Sequence, residues 1–443
     1  MAVSRIDEGW RARCGDRLCS PQDAVSVVQD GHIVYVGGWT STPQILSQAL
    51  FDRRGTLRDV TIRTFLTPFD WNDPLALESF HVEAFYAGPF ERPAIAAGRF
   101  DFIPIAQWRA GRMPPGFDGR TDVAMIPISP PDEHGNCSFG GGVWFGPTVS
   151  QNAGMLIGEI HPEFIRTGGQ NSIPFSRFAR ACEASAKPAP PPIVARSAET
   201  EIAAQVICSM VAGEIIQDGA TLQIGVGDVS AALLAFLGDK HDIGIHSEIV
   251  PGGITELVRA GVVNGAKKAL HPGKVVASAL TFMSDEDLDY IHGNPMFELY
   301  DFTYTDDLRN LLQIENFVAV NNALAVDLTG NVCSEARGTR IFSGPGGQPA
   351  FAVGASTAAG GSVIVLPSSQ LLPSGRAPRI VAQHEAGSTV TVHRAFVDFV
   401  VTEQGIARLR GKSIRKRIDE LIAVAHPDFR SELRSEAGRL YSV

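Results

Sequence analysis

Residues 199–240 read ETEIAAQVICSMVAGEIIQDGATLQIGVGDVSAALLAFLGDK, and residues 20–53 read SPQDAVSVVQDGHIVYVGGWTSTPQILSQALFDR. Each stretch predicts a helix, a Gln-Asp-Gly turn, a strand, a glycine loop and a second helix. The apolar runs HIVYV and TLQIGV are typical of strands buried on both faces of a sheet. The recurrence predicts two similar α/β domains. The alternative is that the two stretches resemble each other by chance, because helix–turn–strand units are common in α/β proteins.

The chain length supports two domains. Its 443 residues exceed what one ordinary core organises. Residues 184–199, ASAKPAPPPIVARSAE, are rich in proline and alanine, and proline favours extended backbone. We therefore predict a linker here, a boundary near residue 190, and domains covering 1–190 and 191–443.

Composition and charge exclude several classes of protein. Hydrophobic residues make up 44% and charged residues 19%, as in globular chains. The net charge of −10 disfavours a general binder of nucleic acid or anionic membrane. The six cysteines form no CxxC pair, so we expect reduced thiols, no zinc or other metal site, and a cytoplasmic location. Charges throughout residues 1–17 predict no signal peptide, and no apolar run reaches the ~18 residues of a membrane helix.

The glycine turn after TLQI is the first candidate site. Gly225 and Gly227 let a ligand approach main-chain N–H groups closely, and the predicted helix that follows adds the positive end of its dipole. Such a turn can hold a phosphate or an oxyanion. The turn is not GxGxxG, because Ser230 occupies the last position. Taken alone, the pattern is more often just a tight turn.

A glutamate follows the next predicted strand. In GIHSE, residues 244–248, Glu248 stands at the carboxyl end of that strand, where open α/β sheets bind ligands. It should therefore lie beside the glycine turn. A solvated glutamate at a strand end is the alternative.

Three further segments carry glycines or ionisable groups. FSGPGGQPAF (342–351) predicts close backbone approach or several turns. SPPDEHGNCSFGGGVWFG (129–146) contains His134, which we expect to hold a turn rather than to act in catalysis. NGAKKALHPGK (264–274) could meet phosphates, although solvated lysines are the default expectation.

Together these segments resemble the acetyl-CoA hydrolase/transferase family, and within it the 4-hydroxybutyrate CoA-transferase-like group. The resemblance also rests on VDFVVTEQGIA, LRGKSI and AHPDFRSEL, and it spans about residues 20–432. It implies two related open-sheet α/β domains with the active site at their interface, and a homodimer or larger assembly. It implies that Glu248 is a covalent nucleophile. It implies that coenzyme A, a substrate rather than a tightly bound cofactor, contacts Gly225, Val226, Gly227, Asp228, Val229, Asn321, Gly344, Gly346 and Gly347.

The chain departs from the family pattern at four positions. Ser230 replaces a frequent proline, Ala350 and Val353 replace an aspartate and an arginine, and Gln404 replaces a tyrosine. These departures leave the nucleophile intact. They leave open which acyl donor and which acceptor acid the protein uses.

The implied function is transfer of CoA from an acyl-CoA to a short-chain carboxylic acid, such as 4-hydroxybutyrate, acetate or butyrate, through a glutamyl-CoA thioester. An acyl-CoA hydrolase needs the same glutamate and remains an alternative. A catalytically silent CoA-binding protein is an alternative of another class, which the GIHSE glutamate argues against. A nicotinamide-dependent dehydrogenase is disfavoured, because no GxGxxG follows the first strand.

Overall fold

A computed structural model describes residues 9–110, 120–185, 197–225, 227 and 230–442. The chain divides into two compact units, and the first comprises residues 1–193 and 276–305. The second comprises residues 194–275 and 306–443. The predicted boundary near residue 190 lies outside the described residues.

The first unit is built on a parallel sheet. Its seven strands run in the spatial order β7-β6-β5-β1-β2-β3-β4, and every neighbouring pair is parallel. The strands are β1 (Ile33–Val36), β2 (Val60–Thr64), β3 (Phe80–Ala84), β4 (Asp101–Phe102), β5 (Val123–Ile128), β6 (Met155–Ile160) and β7 (Phe178–Glu183). All residues of β1 and β5 are buried, as expected for a sheet covered on both faces.

The second unit repeats this design. Six of its strands pair in the order β13-β12-β11-β10-β8-β9, all parallel except for the hairpin of β12 and β13. They are β8 (Thr221–Ile224), β9 (Gly244–His246), β10 (Phe317–Asn322), β11 (Gly361–Val365), β12 (Phe399–Thr402) and β13 (Gly405–Arg408). The prediction of two α/β domains is confirmed.

Helices and short strands complete each unit. The helices of the first unit are Trp10–Cys14, Pro21–Val25, Gln44–Phe51, Glu91–Ala96, Gln107–Ala110, Gly146–Asn152, Asp285–Ile291 and Phe302–Thr305. Those of the second are Ala198–Met210, Ile254–Arg259, Leu308–Leu311, Gln348–Ser356, Ile414–Ala423 and Arg430–Tyr441. Short strands of the first unit are Asn136–Cys137, Gly168–Gly169, Ile173–Pro174, Ala279–Thr281 and Phe297–Leu299. Those of the second are Ile249–Pro251, Ala325–Asp327, Val332–Cys333, Ala336–Arg337, Arg340–Ile341, Ser369–Leu372, Gly375–Pro378 and Ile380–Val381. The chain passes between the units within the strand Val275–Ala277.

The two predicted repeat segments begin in the same way. Ser20 and Ser197 each cap a helix by accepting a hydrogen bond from the main-chain N–H three residues ahead, at 3.1 and 3.2 Å. Each helix leads to a central strand, β1 or β8. The second helix of the later segment is present as a 3₁₀ helix, Ser230–Phe236.

Apolar cores within each unit stabilise the fold. Val34, Ile62 and Met125 belong to the core of the first unit. Ile364, Val400 and Leu421 belong to a core of the second. Of the helices in the described part of the chain, none has the length and apolar character needed to cross a bilayer.

Candidate active site

Glu248 lies at the carboxyl edge of the second sheet. Strand β9, which leads to it, pairs in parallel with β8 through Thr221↔Gly244 and Leu222↔Ile245. The Ser247 hydroxyl then donates to the main-chain oxygen of Ile249 at 2.8 Å and accepts a hydrogen bond from the main-chain N–H of Ile224 at 3.2 Å. These bonds fix the chain direction just before the glutamate, so the predicted placement at a strand end is observed.

A buried lysine supports the same strand. Lys268 is only 5% exposed, and its Nζ donates to the main-chain oxygens of Ile245 and Lys274, both at 2.7 Å. The default expectation of a solvated lysine is therefore wrong for this residue. Lys267, its neighbour, is exposed as expected. A buried ammonium group bound to carbonyl oxygens has a structural role.

The glycine loop 342–347 reaches Glu248. The main-chain N–H of Gly347 donates to Glu248 Oε2 at 3.3 Å. Burial raises the pKa of the Glu248 carboxyl to about 7, and the hydrogen bond from Gly347 opposes this rise. The carboxylate is thus more basic than that of a solvated glutamate, and ionised and protonated forms are both accessible near neutral pH.

Gly347 is placed by the helix that follows it. Gly346 has a φ of +57°, which glycine adopts without strain, and this turn leads into the helix Gln348–Ser356. A Cβ atom at Gly347 would lie 2.7 Å from Glu248 Oε2 and 2.6 Å from the Phe351 ring. Only glycine permits this approach. The predicted cluster therefore brings Gly347 to the glutamate, with Gly344 and Gly346 on the same loop.

The glycine turn after β8 packs against the end of β10. The Gly225 N–H donates to Val320 O at 2.8 Å, and a Cβ at Gly225 would lie 2.8 Å from Asn321 Oδ1. A Cβ at Gly227 would lie 2.3 Å from Asn322 Nδ2. Both glycines are thus required for close packing. The other predicted members of the turn, Val226, Asp228 and Val229, lie outside the described residues.

Asn321 has a defined partner. Its side-chain amide exchanges two hydrogen bonds with that of Gln223, at 2.8 and 3.1 Å. This buried pair ties β8 to β10 beneath the glycine turn. Sequence reasoning missed the next residue, Asn322, whose side chain faces Gly227 and whose main-chain oxygen accepts a hydrogen bond from Gln348 Nε2 at 3.1 Å.

Glu335 also belongs to the second unit. It is 7% exposed, and its main-chain oxygen accepts hydrogen bonds from Phe342 at 2.7 Å and Ser343 at 3.2 Å. Burial raises the pKa of its carboxyl. Glu335 therefore anchors the start of the glycine loop through its main chain.

The departures from the family pattern occupy different environments. Ala350 is buried in the helix that begins after Gly347, and Val353 is partly buried one turn later. Gln404 is exposed and lines a groove of about 770 Å³, whose lining residues do not include Glu248. Ala350 and Val353 therefore follow the glycine loop directly in the sequence, whereas Gln404 is far from it along the chain.

His134 lies on a surface turn of the first unit. Its side chain is exposed, while Asp132 Oδ1 accepts the main-chain N–H groups of His134 at 3.0 Å and Asn136 at 2.9 Å. The turn is therefore held by the aspartate side chain, not by the histidine.

The chain is similar to known proteins over most of its length. Residues 5–176 match the acetyl-CoA hydrolase/transferase N-terminal domain, and residues 284–437 match the C-terminal domain. The chain is 34% identical to the 4-hydroxybutyrate coenzyme A transferase of Clostridium kluyveri, over 96% of this chain and 98% of that protein. The chain belongs to the acetyl-CoA hydrolase/transferase family.

Further proteins match along all or nearly all of the chain. The succinyl-CoA:cyclohexane-1-carboxylate CoA transferase of Geobacter metallireducens is 32% identical, with complete coverage of both proteins. The crystal structure of RipA from Yersinia pestis superposes with a TM-score of 0.87 at 28% identity, covering 98% of this chain and 100% of RipA. Glu248 lies in neither of the two matched domain segments.

Proposed function

We propose that this protein transfers CoA from an acyl-CoA to a short-chain carboxylic acid through a covalent intermediate on Glu248. The observation that carries the proposal is the position of Glu248. It follows strand β9, which pairs in parallel with β8, and it receives a hydrogen bond from the Gly347 N–H. A basic carboxylate held beside a fixed donor is suited to nucleophilic catalysis.

The proposed reaction passes through two covalent intermediates on Glu248. A Glu248 oxygen attacks the thioester carbonyl, the carbon–sulfur bond breaks, and CoA leaves as a thiolate. The resulting mixed anhydride is attacked by that thiolate at the glutamyl carbonyl, which releases the first carboxylate and forms glutamyl-CoA. An acceptor carboxylate then reverses these steps, and no net proton is consumed.

Each addition step creates an oxyanion. The Gly347 N–H is the donor that we assign to the oxyanion on the glutamyl carbonyl, because it already contacts that carboxylate. A single donor of this kind typically contributes about 3 kcal/mol to transition-state stabilisation. The glycine turn at Gly225 and Gly227 is the site that we assign to part of CoA.

Coenzyme A enters this scheme as a substrate, not as a resident cofactor. We further propose that the chain forms a homodimer or larger assembly. Light scattering tests the assembly, and a mass of 47.4 kDa, that of one chain, would contradict it. All six cysteines are free thiols, which supports a reducing cytoplasmic setting.

Transfer and hydrolysis are distinguished by one assay. The enzyme is incubated with butyryl-CoA or 4-hydroxybutyryl-CoA, with and without acetate, while acetyl-CoA and free thiol are measured separately. We expect acetate-dependent formation of acetyl-CoA with little free thiol. Thiol release at the same rate without acetate would establish the hydrolase alternative. Absence of both products across a panel of acyl-CoAs would favour the silent CoA-binding alternative.

A further inference from the structure

A second carboxylate lies next to the nucleophile. Asp306 is completely buried. A Cβ atom placed on Gly347 would lie 2.5 Å from Asp306 Oδ2 and 2.7 Å from Glu248 Oε2. Because both distances share one point, the two oxygens lie within about 5.2 Å of each other. The missing side chain of Gly347 is what allows two carboxyl groups to flank the same backbone position.

The ionisable groups nearby have defined contacts. Asp307, which follows Asp306, forms an ion pair with Arg309, whose Nε lies 3.0 Å from Asp307 Oδ1. Lys268 directs its Nζ to main-chain oxygens of β9 and of Lys274. His246, two residues before Glu248, is buried with its ring edge toward Phe317. The Gly347 N–H, a neutral donor, reaches Glu248 itself.

Two carboxylates so close together repel when both are ionised. The repulsion is large where water is excluded, since it is weakly screened. A pair of this kind loses its protons in two coupled steps. Converting one of the two carboxylates into a neutral group removes this repulsion.

We propose that Asp306 is a positioning residue that destabilises the Glu248 carboxylate and thereby favours its acylation. The inference rests on the proposed function of Glu248. As the new carbon–oxygen bond forms, the negative charge leaves with the CoA thiolate, and Glu248 becomes part of a neutral anhydride. The subsequent glutamyl-CoA thioester is neutral at the same carbon. Asp306 thus raises the energy of the free enzyme relative to both covalent states, and it requires no chemical change of its own.

The replacement Asp306→Asn removes the charge and keeps the shape. In wild type we expect kcat/KM to have an acid limb, because Glu248 must be ionised to attack. In Asp306→Asn this limb should move about one pH unit lower, since the remaining carboxyl is no longer opposed by a like charge. The fraction of enzyme that carries CoA at a fixed ratio of acyl-CoA to acid should fall by about tenfold at pH 8.

Asp307→Asn is the matched control, because the adjacent carboxylate pairs with Arg309 and should not affect the acid limb. If Asp306→Asn does not fold, Asp306→Ser provides a smaller neutral side chain with the same expected shift. An unchanged acid limb and adduct fraction in a folded Asp306 variant, with an adduct still formed on wild type, would overturn the role of Asp306 alone. Absence of any adduct on wild type, together with absence of transfer, would overturn the proposed function as well.

Discussion

The main-chain N–H of Gly347 donates a hydrogen bond to Glu248 Oε2 at 3.3 Å, although 99 residues separate them in the sequence. The contact joins the end of β9 to the start of the helix Gln348–Ser356. This hydrogen bond also stabilises the ionised form of the Glu248 carboxyl, which burial disfavours. Desolvation raises its pKa to about 7, and the N–H donor limits the rise.

Burial of Glu248 should cost stability in a pH-dependent way. The pKa of its carboxyl is higher in the folded protein than in the unfolded chain, so its favourable contribution is present below about pH 4.5 and is lost as the pH rises through about 7. Glu248→Gln lacks this ionisation. We expect the variant to match wild type at pH 5 and to melt about 2–4 °C higher at pH 8. Calorimetry at both pH values checks this, and a variant less stable than wild type at pH 8 would contradict it.

The glycine turn after β8 predicts a selective loss of activity. In Gly227→Val the new Cβ would lie 2.3 Å from Asn322 Nδ2, so the asparagine side chain must move. We expect kcat/KM to fall about 100-fold while the fold persists. Gly238→Val is the control, because a Cβ there meets no atom within 4 Å. Unchanged turnover of Gly227→Val would remove the turn from the site.

Glu335 should not act as the nucleophile. Its main-chain oxygen anchors Phe342 and Ser343, and this contact survives in Glu335→Gln. We expect transfer activity within about tenfold of wild type. A folded Glu335→Gln without activity, alongside an active Glu248→Gln, would reverse the assignment.

Lys268 should contribute to stability rather than to CoA binding. Lys268→Met leaves the oxygens of Ile245 and Lys274 without their ammonium donor, and we expect a loss of about 3 kcal/mol in the free energy of unfolding. Lys267→Met, at the exposed neighbour, should change it by less than about 0.5 kcal/mol. Urea denaturation measures both. Equal changes in the free energy of unfolding for the two variants would show that the hydrogen bonds of the Lys268 ammonium group do not stabilise the fold.

The sequence predicts the parts of the site that have local patterns. Apolar runs identified β1 and β8, and the step from strand to GIHSE placed Glu248 at a strand end. The structure adds residues that only tertiary packing brings together. Asp306 belongs to no recognisable motif. Its carboxyl lies beside Gly347, which is 41 positions later in the sequence, only because the chain folds that way.

Burial of polar residues was the other source of error. Lys268 stands in a basic run that is typical of a surface, yet its Nζ reaches a main-chain oxygen of Ile245, 23 residues away. Asn321, which the family resemblance assigns to CoA binding, pairs its amide with Gln223, a contact that the sequence does not predict. Neither pairing follows from spacing along the chain, because both depend on which strands are neighbours. Residues 230–236 also form a 3₁₀ helix despite a composition that favours an α-helix.

The central claim is that Glu248 forms a covalent bond with CoA, and intact-protein mass spectrometry tests it most directly. Enzyme incubated with an acyl-CoA and no acceptor acid should gain the mass of CoA, lose it on treatment with hydroxylamine, and show the adduct on a peptide containing residues 244–248. Glu248→Ala should show neither adduct nor turnover. An adduct that persists in Glu248→Ala, or one that maps to another residue, would contradict the account.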